Sequence, residues 1–296
     1  MKTLIHRLGC IPLLVLLAAC GGAATSSMDK GNSSAGSGVT KETLVWSDEF
    51  NGATAPGAPN PQNWTYDTGA GGWGNSELET YCAYGSSAAP CDAKNPNAYV
   101  GTDGYLHIVA RNPASGVYTS ARLKSQGLQS FEYGRIEASV KMPEGQGFWP
   151  AFWMLGDDIN SKPWPACGEM DIMESVGNKA STNYGSIHGT GFTGTAVGTG
   201  YTLPNGAKFE DAFHTFGILW SPKLIKFYVD SPTNVYATYT PASLPQGGVW
   251  PFDAGKFFFI LNDAVGGAWP GSPDKTTVFP QEMLVDYVRV YAERTS

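Results

Sequence analysis

Three carboxylates crowd into six residues, Glu169-Met170-Asp171-Ile172-Met173-Glu174, within an apolar run that contains no Lys or Arg. Trp164-Pro165-Ala166-Cys167-Gly168 leads into this run and Ser175 follows it. On a β-strand successive side chains point to opposite faces, so Glu169 and Asp171 share a face and Glu174 is out of phase by one residue. One extra residue in a β-bulge, most simply Met173 or Ile172, returns Glu174 to that face and leaves the apolar side chains on the other. Like charges held close push their pKa values apart. One ionised carboxyl beside one protonated carboxyl is what glycosidic bond cleavage uses: a nucleophile and a general acid. With one residue in the bulge, the path from Glu169 to Glu174 is ~13 Å at ~3.3 Å per residue. Two Glu side chains leaning together would bring the carboxyls to about 5–6 Å, near the ~5–5.5 Å of a retaining mechanism. A solvated strand face and a cation site use the same residue types, so spacing alone leaves these readings open.

The sequence around this stretch reads as β. Leu106, Ile108 and Ala110 alternate with His107 and Val109, and residues 131–142, 224–230 and 284–291 alternate in the same way. About eleven such segments can be counted, separated by Gly, Pro, Asn and Asp. No segment carries the pattern of a three-turn helix. Many short strands with turn punctuation predict an all-β sandwich or barrel. Residues 68–75 and 189–206 are Gly-rich loops. Gly189-Thr190-Gly191-Phe192-Thr193-Gly194 fits G-x-G-x-x-G, with Glu210 downstream, but Gly200, Pro204 and Gly206 follow where a pyrophosphate-binding helix would have to start.

Composition narrows the partners. A chain of 296 residues with this apolar content can bury one large β domain. Net charge is −7, and −9 once residues 1–19, with Lys2 and Arg7, are set aside. That balance argues against nucleic acid, which selects a basic patch, and suits a neutral substrate. Charged residues are only 15% against 12% aromatic, with nine Trp, so several Trp must be core or platforms for flat apolar faces such as sugar rings.

Residues 1–19 read as a secretion signal: Lys2 and Arg7 precede Leu13-Leu14-Val15-Leu16-Leu17, an apolar core too short for a stable membrane anchor. Leu17-Ala18-Ala19-Cys20 resembles a bacterial lipobox, which implies cleavage before Cys20 and a lipid on its sulfur. An ordinary signal peptide that contains a Cys is the alternative. Gly21, in place of an Asp, points to an outer-membrane lipoprotein; plain secretion is the other outcome. Residues 20–41 are mostly Gly, Ser, Ala, Thr and Asn and read as a flexible tether. Residues 42–296 remain for the domain. Cys82 and Cys91 bracket an eight-residue loop containing Pro90 in an exported chain, which predicts a disulfide. Cys167 is left over and reads as a small buried residue.

The acidic stretch matches E-x-D-x-x-E and resembles the bulge-containing signature of glycoside hydrolase family 16, in the form typical of laminarinases, the endo-β-1,3-glucanases. Further blocks resemble the family in order. They are Leu44-Val45-Trp46-Ser47-Asp48-Glu49-Phe50-Asn51-Gly52, Gly71-Gly72-Trp73-Gly74-Asn75 and Tyr133-Gly134-Arg135-Ile136-Glu137-Ala138, followed by residues 145–155 and 283–291. The resemblance covers about residues 42–294. It implies a β-jelly roll, a sandwich of two antiparallel sheets with a concave sugar-binding cleft. It also implies retaining hydrolysis of β-glucan by a monomer that needs no cofactor for catalysis.

The resemblance assigns Glu169 as nucleophile, Glu174 as acid/base and Asp171 as the residue between them that bonds Glu169 and keeps Glu174 partly protonated. Trp149 and Trp153 share a strand face by parity; packing alone would explain that, but the family places this strand beside the catalytic one. Trp73 and Asn75 lie in a loop resembling the one that closes over an end of the cleft, and Trp269 in a block near its rim. Trp164 is a stacking candidate flanking the acids. His188 ends the strand after the catalytic one and is expected near the site, although a lone His is more often structural. Trp46, Trp64, Trp220, His107 and His214 read as structure. The family motif suggests that Arg135 faces the cleft, where a solvated or paired Arg is the alternative. Family members often hold a structural Ca²⁺ on the convex face, and Glu49, Gly101 and Asp286 are the candidates here; pairing of the acids with Arg289 or Arg294 is the alternative. Asp263 stands where the family more often has an apolar residue, and a place near the cleft would bear on substrate preference. Agar hydrolysis, transglycosylation and non-catalytic glucan binding are the other functional readings. A serine hydrolase lacks its G-x-S-x-G elbow and a metallohydrolase its H-E-x-x-H.

Overall fold

The computed structural model describes residues 42–293. Their apolar alternation becomes seventeen strands: β1 (Glu42–Asp48), β2 (Thr65–Asp67), β3 (Glu79–Tyr81), β4 (Ala98–Val100), β5 (Leu106–Ala114), β6 (Val117–Ser120), β7 (Arg122–Lys124), β8 (Gly134–Lys141), β9 (Phe148–Gly156), β10 (Glu169–Glu174), β11 (Thr182–His188), β12 (Gly198–Thr202), β13 (His214–Ser221), β14 (Leu224–Val229), β15 (Val235–Tyr239), β16 (Phe257–Val265) and β17 (Gln281–Glu293). The number exceeds the expected one because β2, β3, β4 and β7 have three residues each, too few to display a period of two. Helix among the described residues is limited to single 3-10 turns at Gly177–Lys179, Pro204–Gly206 and Pro241–Ser243.

The strands form two sheets. A ten-stranded sheet runs β15-β14-β13-β8-β17-β5-β6-β3, with β1 beside β17 and β4 beside β5; a seven-stranded sheet runs β12-β11-β10-β9-β16-β7-β2. Pairing is antiparallel except between β3 and β6, which run parallel. The first and last strands pair from Glu42↔Glu293 to Asp48↔Val288, which closes the domain on itself.

The core lies between the sheets. Ile136, Ala138 and Val140 of β8 enter it from one side; Phe152, Met154, Met170, Ile172 and Phe259 enter it from the other. Each fully buried side chain of this size stabilises by about 1.5–3 kcal/mol. The layer beneath β9, β10 and β16 is thus continuous and apolar, and the opposite face of these strands is a fixed platform.

Three candidate positions find their surroundings once the faces are known. Arg135 points away from the core on β8, in the ten-stranded sheet, so it cannot face a cleft on the seven-stranded one. There it pairs with Glu42 at 2.6 Å and with Glu137, and its guanidinium lies 3.6 Å from the centre of the Tyr291 ring. The candidate calcium ligands each have a partner within the protein. Both Glu49 oxygens are taken by Arg289, at 2.9 and 2.7 Å, the Gly101 carbonyl accepts the Gly104 N–H at 3.3 Å, and Asp286 accepts from Ser139 at 3.4 Å. The Arg289 guanidinium neutralises Glu49 here. Asp263 is fully buried on the inward side of β16, and neither of its oxygens has a hydrogen-bond partner. It therefore does not line the platform; burial pushes its pKa well up, and it is held as the neutral acid.

Candidate active site

The open face of the seven-stranded sheet collects the predicted acids. β10 pairs with β9 and β11, and both pairings slip inside the acidic stretch: Asp171↔Trp153 is followed by Glu174↔Ala151, and Asp171↔Ser186 by Glu174↔Tyr184. Each partner advances two residues while β10 advances three, which is a β-bulge. Met170, Ile172 and Met173 all join the core. Glu169, Asp171 and Glu174 are left together on the other face. Gly168 ahead of them has φ +83°, and a Cβ there would sit 2.7 Å from Pro251 Cγ, so only glycine can bring the chain into β10 along this path. Gly177 is equally constrained beyond the acids, since a Cβ would collide with the Gly145 carbonyl.

Indole N–H groups hold the two outer acids. Trp164 Nε1 donates to Glu169 Oε2 at 2.8 Å, and Trp149 Nε1 donates to Glu174 Oε1 at 3.0 Å. His188 Nε2 lies 2.8 Å from Asp171 Oδ2 and 3.8 Å from Glu169 Oε1. Ligand atoms of Glu169, Asp171 and His188 all fall within 4.8 Å of one another. Among the described residues no Lys or Arg pairs with any of the three acids. Burial raises all three pKa values, and mutual repulsion adds to this for Glu169 and Glu174. The causes differ in a useful way. For both acids His188 and an indole N–H pull the other way; Glu169 is repelled by Asp171 alone, whereas Glu174 is repelled by Asp171 and Glu169 and stays well above the usual carboxylate range. The arrangement favours a proton on Glu174 and charge at the Glu169 end.

The aromatic residues form two walls. Trp149 meets Trp269 edge-on at 5.3 Å, and Trp269 meets Tyr184 at 5.0 Å; Lys179 Nζ reaches the Tyr184 hydroxyl at 3.2 Å. On the other side the Arg122 guanidinium lies 5.0 Å from the Trp73 ring and 4.7 Å from the Trp153 ring. Asp67 fixes that guanidinium at 3.1 Å. The Asn75 carbonyl accepts the Ala268 N–H at 2.8 Å, which ties the loop of Trp73 to the loop of Trp269. Trp164 stands half exposed above Glu169. The structure thus gathers Trp73, Asn75, Trp149, Trp153, Trp164, His188 and Trp269 around the acids and leaves out Arg135. The sequence reading missed Arg122, Tyr184, Lys179 and Asn262. Arg122 and Lys124 flank the buried Leu123 on β7.

Cys82 and Cys91 form a disulfide, and Cys167, two residues ahead of Glu169, is a free, buried thiol pushed up to about 11, first by burial. At neutral pH such a thiol is inert. Trp64 and Trp220 are core, as their sequence context implied.

Comparison with known proteins agrees with this geometry. Residues 86–289 match the profile of "Glycosyl hydrolases family 16". A Beta-glucanase of Rhodothermus marinus is 41% identical over 260 residues, covering 84% of this chain and 84% of that protein. The laminarinase catalytic domain of Thermotoga maritima superposes with a TM-score of 0.75 at 42% identity, over 86% of this chain and 99% of that one. The endo-β-1,3-glucanase of Pyrococcus furiosus gives 0.75 at 43% identity, over 86% and 96%. The two-sheet sandwich is the jelly roll of these enzymes. With its signature strand, its fold and a match over most of its length, the chain belongs to glycosyl hydrolase family 16.

Proposed function

We propose that the chain is a retaining endo-β-1,3-glucanase that cleaves laminarin-type glucan and accepts mixed β-1,3/1,4-glucan. The observation that carries this is the row of Glu169, Asp171 and Glu174 on one strand face, buried, without Lys or Arg partners among the described residues. Glu169 attacks the anomeric carbon while Glu174 protonates the departing glycosidic oxygen, which leaves a glycosyl ester on Glu169. Glu174, now a carboxylate, takes a proton from water; the water attacks the anomeric carbon and Glu169 departs. Trp149 occupies one Glu174 oxygen and so leaves the other to carry the proton. Trp164 and His188 favour the charged form of Glu169. Asp171 lies between the two, and its negative charge helps to keep the proton on Glu174. Trp73, Trp149, Trp153, Trp164 and Trp269 offer faces and edges to sugar rings, with Asn75, His188 and Arg122 as hydrogen-bond donors.

The test is release of reducing ends from laminarin, mixed-linkage glucan and agarose, with Glu169→Gln as control. Release from laminarin that vanishes in the variant is the expected result. Release from agarose alone would keep the mechanism and overturn the substrate; binding without release from any would overturn catalysis.

The sequence of residues 1–41, which lies outside the described residues, supports an exported protein. In this reading residues 1–19 are a signal peptide, residues 20–41 a tether carrying lipid on Cys20, and residues 42–296 the catalytic domain of a monomer. Labelled palmitate should enter the chain and be lost in Cys20→Ala; incorporation that survives the substitution would refute the anchor. Among the described residues no helix is long and apolar enough to cross a membrane.

A further inference from the structure

A second pair of acids lies beneath one wall of the cleft. Glu77 and Glu79 are both buried, at 8% and 1% exposure. Glu77 is an acceptor for two neighbours: Asn75 Nδ2 reaches its Oε1 at 3.1 Å and the Tyr81 hydroxyl its Oε2 at 2.8 Å. The Tyr81 oxygen in turn accepts Asn262 Nδ2 at 3.2 Å, and Asn262 Oδ1 accepts the Trp153 indole N–H at 2.7 Å. An unbroken chain of hydrogen bonds therefore runs from the Asn75 loop, under the sheet edge, to an aromatic residue of the platform. Tyr81 also packs against Trp73 at 5.4 Å between ring centres, and its backbone pairs with Gly69, whose carbonyl accepts the Trp73 indole at 3.3 Å. Both rings that sandwich Arg122 are thus anchored on this chain.

Glu79 completes the arrangement. Its Oε2 accepts the Val265 N–H at 2.7 Å, while its buried Oε1 has no donor. A neutral carboxylic acid supplies its own donor, and the adjacent Glu77 is the acceptor in reach. Burial, reinforced by Glu77, pushes the Glu79 pKa up to about 9, which keeps the proton there. Three donors then converge on Glu77: Asn75, Tyr81 and the Glu79 acid.

We propose that Glu77 is a positioning residue of the glycan cleft: through Tyr81 and Asn262 it sets Trp153, and through Asn75 it sets the loop of Trp73, so that the Trp73–Arg122–Trp153 stack keeps the spacing at which a sugar ring docks. This rests on the glucanase reading. Glu77 touches no reacting atom, so its effect belongs in substrate binding rather than in bond breaking. The two acids also differ in what can replace them. Glu77 only accepts, so Gln in its place turns one oxygen into a donor facing other donors. Glu79 both donates and accepts, so Gln in its place reproduces the neutral acid.

The experiment measures kcat and KM on laminarin and, separately, laminari-oligosaccharide affinity by tryptophan fluorescence. Tyr81→Phe keeps the ring and removes only the hydroxyl that links Glu77 to Asn262; it and Glu77→Gln should raise KM and weaken oligosaccharide affinity by about tenfold, with kcat within about twofold. Glu79→Ala should do the same, and Glu79→Gln should restore the loss. The proposal is overturned if Tyr81→Phe leaves KM and affinity unchanged, if kcat falls at constant KM, or if Glu79→Gln is as impaired as Glu79→Ala. Should Glu77→Gln fail to fold, the isosteric Tyr81→Phe decides alone. A wild type that binds the oligosaccharide without cleaving laminarin overturns the activity and leaves the affinity arm to judge the positioning role; a wild type that does neither overturns both.

Discussion

The outer face of the ten-stranded sheet and the open face of the seven-stranded sheet both carry carboxylates at alternate positions, yet they are chemically opposite. On the outer face, Arg135 takes Glu42 and Glu137, and Arg289 takes Glu49. Both guanidiniums also lie flat on tyrosines, 3.6 Å above Tyr291 and Tyr287. The Arg289 hydrogen bonds hold Glu49 below the usual carboxylate range. On the open face, Glu169, Asp171 and Glu174 meet indoles and one histidine, and all are pushed upward. A carboxylate locked to a guanidinium cannot deliver a proton at neutral pH. A buried carboxyl without one can. Acid content or period does not make a catalytic face; acids left without a cation on an open platform do.

The comparison can be broken most sharply at Glu174. Glu174→Gln should lower kcat by at least about 10³-fold while the protein melts no earlier, because a buried ionisable group is replaced by a neutral one. On the outer face the signs reverse. Arg135→Met should destabilise by about 3 kcal/mol in denaturant unfolding, since it strands Glu137 without its cation, and kcat/KM should stay unchanged. Adding Glu137→Gln should recover part of that loss, a coupling that a double-mutant cycle reads.

Asp171→Asn gives a smaller, directional effect. It removes a negative charge that raises the Glu174 pKa, so the alkaline limb of the kcat/KM profile should move to lower pH. A limb that stays in place would mean that burial alone sets the Glu174 proton.

The smallest effect belongs to His107, which bridges Glu282 at 2.7 Å and Asp103 at 3.1 Å. Burial alone would lower its pKa, but these two acids together raise it above 6.5. A raised folded pKa gives stability that is complete below the unfolded value and lost as pH rises through the folded one. The melting difference between wild type and His107→Gln should therefore be full below pH 6.5 and shrink as the pH rises above it. A constant difference would show that the ring acts by packing on Tyr99 alone.

Much of the site could be read from sequence because the acids break an otherwise regular period, and only a bulge reconciles them. The same parity identified the face shared by Trp149 and Trp153. What parity cannot supply is which sheet a strand joins. Arg135 alternates correctly on β8, but the outward side of β8 is the far surface of the molecule. Parity fails outright on β16, where all nine residues are buried: Asn262 faces the platform and Asp263 the core, and nothing local distinguishes them. Arg122 sits on a strand of three residues, too short to show a pattern, and gains its meaning from Trp73 and Trp153, distant in sequence. Arg289, one of the two arginines the sequence offered as a partner for the terminal acids, reaches Glu49 across 240 residues because the first and last strands pair.

The bulge in β10 has an evolutionary consequence. Its partner strands already count two residues from Trp153 to Ala151 and from Ser186 to Tyr184, where β10 counts three. Deleting Ile172 or Met173 would therefore leave Glu169, Asp171 and Glu174 in plain alternation on the same face, with the loss of one apolar side chain from the interior. A deletion in β9 has no such escape: it would exchange Trp149 for Phe148 and turn the platform inside out. The strand that carries the acids can thus lose a residue and keep its catalytic face, while the same loss in β9 turns its face over.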